Sequence, residues 1–64
     1  MIVGDLVVGR IRACLGTITK PALKSGYFWV YWVTGGLRDK STLESAEMLY
    51  LYDDEKDRKT VDWR

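Results

Sequence analysis

The strongest pattern along the chain is a run of eight β-formers, residues 27–34 (YFWVYWVT), bounded by Gly26 and by Gly35-Gly36. Aromatic and β-branched side chains suit a pleated, half-buried surface, so this run predicts the longest strand. Alternation divides it into two faces. Phe28, Val30 and Trp32 share one; Tyr27, Trp29, Tyr31 and Val33 share the other. Shorter runs lie on either side. Residues 1–9 (MIVGDLVVG) predict a first strand, with Gly4-Asp5 as a tight turn or bulge leading into it. Residues 10–16 (RIRACLG) read either as a hairpin loop or as a continuation of that strand with Ile11 and Ala13 inward. Residues 16–20 (GTITK) predict strand two. Residues 21–26 (PALKSG) predict the turn after it, opened by Pro and closed by Gly.

Beyond the aromatic run, Gly35-Gly36 predicts a tight hairpin turn and residues 37–42 (LRDKST) a polar return strand, the fourth. One helical turn at residues 45–47 then precedes a short last strand at 48–52 (MLYLY), since the segment is too short for a self-standing helix. Residues 53–64 (DDEKDRKTVDWR) form a charged tail, apolar only at Val61 and Trp63. It reads as disorder or a frayed helix, with Trp63 a candidate to dock on the body. Five short strands with local connections leave no room for crossover helices. The expected fold is all-β: a small, strongly bent antiparallel barrel over residues 1–52, with one helical turn before the last strand.

The elements carry a resemblance. Gly4-Asp5-Leu6-Val7, Gly16-Thr17-Ile18, Val30-Tyr31-Trp32, Gly35-Gly36 and Glu47-Met48-Leu49 together resemble the small Src-homology-3-like barrel proteins of tailed bacteriophages, particularly those infecting cyanobacteria. The likeness covers about residues 2–52 and omits the tail. It implies a five-stranded Src-homology-3-like barrel, a viral origin, and an accessory or host-directed role without catalytic residues. It also implies that Val30 and Trp32 point inward, leaving Trp29 and Tyr31 outward and Tyr27 near the strand entrance. The Gly-Asp-x-Val and Gly-x-Ile elements are also similar to the KOW motif of ribosomal and elongation proteins, with a shorter spacing between them here.

Size makes the fate of the aromatics consequential. With 64 residues, a domain buries only about 60% of the surface its unfolded chain exposes. One aromatic ring can bury about 150–250 Å², so most large side chains must join the core. Two ring faces on one strand therefore compete for one interior. Either the outer ring set is covered by the tail or a second copy, or it forms a platform for a partner. Tyr and Trp suit a platform because they are enriched in binding hot spots.

Composition narrows the chemistry. The chain has no His, Asn or Gln and a single Cys. Ser-His-Asp and Cys-His catalysis therefore have no residues to run on, and a zinc site would need carboxylates almost alone. No cofactor, metal or enzymatic activity is expected. Cys14, alone, excludes an intramolecular disulfide, reads as a small buried hydrophobe, and points to a reducing cytoplasm. Asp5 reads as a turn-stabilising carboxylate beside Gly4. No apolar run suits a signal peptide or reaches the ~20 residues of a membrane span, so no membrane contact is expected.

Net charge is +1, but its distribution is uneven: residues 1–40 carry six basic and two acidic groups, residues 41–64 four basic and seven acidic. Arg10 and Arg12 flank Ile11 and can leave one face together. Lys20, Lys24, Arg38 and Lys40 fall on turns. Asp53, Asp54, Glu55 and Asp57 are solvating charge or a shield over Arg10 and Arg12. The reading that results is a non-enzymatic module binding a host or viral protein through Tyr27, Trp29 and Tyr31, rimmed by Arg10, Arg12 and Arg38. Single-stranded nucleic-acid binding by a KOW-like barrel, with bases stacked on the aromatics, is one alternative. Self-association into a homodimer or structural component is another.

Overall fold

The computed structural model describes residues 1–61. Five strands run antiparallel in one sheet: β1 Leu6–Gly9, β2 Leu15–Pro21, β3 Tyr27–Trp32, β4 Ser41–Ser45 and β5 Leu49–Leu51. Their order in space is β4-β3-β2-β1-β5. A 3-10 turn, Ala46–Met48, joins β4 to β5, the two strands at opposite borders of the sheet. Laid flat, five strands would hold those borders about 19 Å apart. The four Cα steps from Ser45 to Leu49 reach about 15 Å at full stretch, and a 3-10 turn is shorter still. The sheet must therefore curl until its borders approach, which is the small all-β barrel expected from the sequence.

Curling gives the sheet an inside and an outside. Val7, Cys14, Ile18, Val30, Trp32 and Leu49 form the inner core, with Phe28 and Leu37 packed against it. The glycines of the first two strands make room for the largest ring. A Cβ on Gly16 would lie 2.8 Å from Trp32 and 2.7 Å from Val30, and one on Gly9 would lie 3.3 Å from Trp32. Trp32 thus lies across backbone that only glycine leaves flat enough.

A second, smaller cluster sits on the outer face. Val8, Leu15 and Val61 are buried together, with Tyr50 and Tyr52 packed against them. Val8 is paired with Leu15 on one side and Tyr50 on the other, so the three share a face, and the tail supplies Val61 as its lid. The short helix α1, Asp54–Asp57, begins at Asp53, whose side chain accepts from the Glu55 and Lys56 amides. Asp57 is only 2% exposed. Its carboxylate accepts from Tyr50 Oη at 3.0 Å and from the Asp53 amide at 2.8 Å, so the buried charge is hydrogen-bonded, as burial requires. Residues 53–61 thus pack on the barrel through Asp57 and Val61. Trp63, the anchor expected from the sequence, lies outside the described residues.

The end of β3 and the start of β4 differ from the sequence reading, and the structure decides between the two readings of residues 10–16. The tight turn at Gly35-Gly36 is instead a longer connection containing a 3-10 turn, Gly35–Leu37, so β4 starts at Ser41 rather than residue 37. A two-residue type I′ turn needs positive φ at both positions; only Gly35 has it, at 78°, and Asp39 makes the second reversal at φ 66°. β3 ends at Trp32 because the amides of Val33 and Thr34 are both drawn to the Leu15 carbonyl, while Thr34 Oγ1 accepts from the Leu15 amide at 2.8 Å. Residues 10–13 form a loop, not a continued strand. Ala13 adopts φ 52° and the loop closes between Gly9 and Cys14, leaving Ile11 77% exposed. Near the amino end the turn is as expected: Gly4 has φ 95°, and Asp5 accepts from the Ile2 amide at 2.9 Å.

Candidate partner-binding surface

The inner set of β3 is as expected: Val30 and Trp32 are fully buried and Phe28 packs against them. Tyr27, Trp29 and Tyr31 lie on the outer face and are half-buried. Register builds a continuous strip around them. Trp29 pairs with Leu43 of β4, Tyr27 with Ser45, and Tyr31 with Ser41 on one side and Thr17 on the other. Leu43 is 47% exposed.

A bulge in β2 completes the strip. The ladder steps from Ile18↔Val30 to Lys20↔Trp29, so two residues of β2 face one of β3. Such a bulge re-aims side chains. Here it turns Lys20, which would otherwise oppose Phe28 on the inner face, to the outer one. Its Nζ lies 5.6 Å from the Trp29 ring centroid, and Lys24 Nζ lies 4.9 Å from that of Tyr27. Both are cation–π distances. At the other end of the strip, Tyr31 Oη donates to Asp39 Oδ1 at 2.8 Å. That hydrogen bond, more than the charge of Asp39 or slight burial, holds the Tyr31 phenol above its ordinary value of 10.0.

The arginines occupy a different place. Arg10 and Arg12, in the β1–β2 loop, line a cleft of about 380 Å³ whose other walls include Trp32, Leu37, Thr42, Glu44 and Met48. Thr42 pairs with the buried Val30 and Glu44 with Phe28, so the cleft opens from the inner face, on the opposite side of β3 and β4 from Trp29 and Tyr31. Within it, Trp32 Nε1 donates to Thr42 Oγ1 at 2.6 Å, and Thr42 Oγ1 donates to Glu44 Oε2 at 2.7 Å. Arg10 Nε donates to the Glu47 carbonyl at 2.9 Å, and its guanidinium stands 5.5 Å from the Tyr50 ring centroid. Arg38 follows the Gly35–Leu37 turn and is exposed.

The structure thus gathers Tyr27, Trp29 and Tyr31 on one face and sets Arg10 and Arg12 on another. The cations beside the aromatics are Lys20 and Lys24. The tail carboxylates serve the tail: Asp53 caps α1, Asp54 accepts from Tyr52 Oη and Asp57 from Tyr50 Oη. Their traced route to Arg10 runs through Tyr50. Leu43 and Glu44 fell outside the strand expected at residues 37–42, because β4 was placed too early. The alternation within STLES is the signal that would have found them. Cys14 is buried in the inner core, with Sγ 3.6 Å from the Arg12 carbonyl.

Among the described residues, no group of three or more Cys, Asp or Glu side chains is placed to hold a metal ion, and no helix is long and apolar enough to cross a membrane. No family model matches the chain, and comparisons with curated proteins and with solved structures find no match.

Proposed function

We propose that this protein is a non-enzymatic binding module, phage-encoded and acting in the cytoplasm of a host, that engages a host or viral protein through the outer face of β3 and β4. One observation carries the reading: among the described residues, the outer face of the sheet is covered over only one half. The tail closes the β1, β2 and β5 half through Val61. The β3 and β4 half keeps Tyr27, Trp29 and Tyr31 partly open, with Leu43 47% exposed beside them. Large rigid rings with a polar handle supply contact area at little entropic cost, and Lys20 and Lys24 supply orientation at the rim.

The test is Trp29→Ala. Because Trp29 lies outside both buried clusters, the variant keeps its cooperative unfolding and far-ultraviolet circular dichroism. It loses ~2 kcal/mol or more of affinity for a partner protein isolated from host lysate on the unaltered chain, if the ring is a hot spot. Collapse of the fold would place Trp29 among the core residues and end the proposal.

The lysines over the rings favour one second reading, single-stranded nucleic-acid binding, where stacked bases and phosphates would meet rings and cations together. Affinity for single-stranded DNA or RNA that drops steeply with salt would favour it. A molecular mass that doubles with concentration would instead assign the face to a second copy.

A further inference from the structure

The cleft is separate from the aromatic face, and it lies beside a strand with an open border. β4 stands at the end of the strand order and has β3 as its one strand neighbour. Edge strands are commonly blunted by proline, lysine, a bulge or an inward-pointing charge, and Glu44 is the one such device in β4. β4, Ser41–Ser45 (STLES), contains no proline or lysine, and its pairing with β3 runs in unbroken register from Tyr27↔Ser45 to Tyr31↔Ser41. Its inward side chains, Thr42 and Glu44, line the cleft. A strand added to this border would send alternate side chains into that space.

The chemistry of the cleft selects the side chain. Its walls carry two guanidinium groups, Arg10 and Arg12, against one carboxylate, Glu44, which already accepts the Thr42 hydroxyl. Arg10 is held in place through Nε by the Glu47 carbonyl and by the Tyr50 ring, 5.5 Å from its guanidinium. Trp32, Leu37 and Met48 provide apolar wall for the methylenes of an entering chain. An incoming carboxylate would balance the charge and accept the forked donors that arginine offers.

We propose that β4 and the cleft form a second site, which takes an extended acidic peptide by strand addition and seats a glutamate or aspartate side chain against Arg10 and Arg12. The proposal is independent of the aromatic face.

The experiment is a nuclear magnetic resonance titration of the ¹⁵N-labelled chain. The probe is an acetylated, amidated pentapeptide alternating threonine and valine around one central glutamate. Binding is expected to move the backbone amides of residues 41–45 and the Trp32 indole N–H, whose bond to Thr42 lies in the cleft, while the Trp29 indole N–H stays still. The same peptide with central glutamine, or the Arg12→Gln protein, should bind at least tenfold more weakly. A probe N-methylated at alternate amides should not bind. Equal binding of the glutamate and glutamine peptides, shifts centred on Trp29 instead of Trp32, or no shift at millimolar peptide would each overturn the proposal. Trp29→Ala should leave this titration unchanged, so its outcome is distinct from that of the aromatic face.

Discussion

Gly35 is fixed twice over: its φ of 78° disfavours a side chain, and an added Cβ would overlap Cys14 Sγ in the inner core. Gly35→Ala should therefore cost about 2 kcal/mol or more in denaturant unfolding. Cys14→Ala in the same chain should recover only part of the loss, because relieving the overlap leaves the backbone strain. Thr42 is a second single-residue hinge of the structure, since it accepts from Trp32 Nε1 and donates to Glu44. Thr42→Val keeps the shape but strands a buried indole N–H, so about 1–3 kcal/mol of stability should go. The Trp32 indole resonance would report the lost bond directly. An unchanged unfolding midpoint in Thr42→Val would mean that the indole finds another acceptor.

At the scale of elements, the packed tail behaves as part of the domain. Val61 closes the Val8–Leu15 cluster and Asp57 ties Tyr50 to the start of α1. Val61→Ala should lower stability by about 2 kcal/mol through lost burial and a cavity. Ending the chain at residue 52 should add binding of a hydrophobic dye, since Val8 and Leu15 lose their lid. How legible each element was follows from what determined it. The β3 faces could be read because alternation alone decides them. The β1–β2 and β3–β4 connections could not, because Ala13 and Asp39 take the left-handed conformation that sequence assigns to glycine. The early placement of β4, by four residues, hid Leu43 and Glu44 from the candidate site. The tail was readable as charged, with Trp63 as the candidate for docking; the contacts of its described residues run through Val61 and Asp57. Its anchor depends on one valine, and its buried carboxylate depends on a tyrosine seven residues earlier.

For the whole molecule, three tyrosines set the alkaline limit. Burial first and then the bond to Asp57 raise the Tyr50 phenol above 10.0, with Arg10 opposing. Burial and Asp54 raise Tyr52, and the Asp39 bond raises Tyr31. Between the unfolded value and these higher folded ones, the unfolded state has shed protons that the folded state keeps. Stability is therefore intact below about pH 10 and falls as pH climbs beyond it. Unfolding midpoints measured from pH 8 to 11 should show that decline, and Tyr50→Phe should flatten it while lowering the neutral-pH value by about 1 kcal/mol. A Tyr50→Phe profile parallel to that of the unaltered chain would remove Tyr50 from this account.

β1 lies between β2 and β5, so its two neighbours come from opposite ends of the sheet's sequence, one next along the chain and one last. Its second border stays open until residues 49–51 exist, and its outer valine stays bare until Val61 does. Contacts between the two ends of a chain close late and slowly. The sheet therefore cannot be completed in the order in which its strands are made. Until residues 49–51 and 61 are made, β1 has only β2 to pair with, and one of its borders stays open.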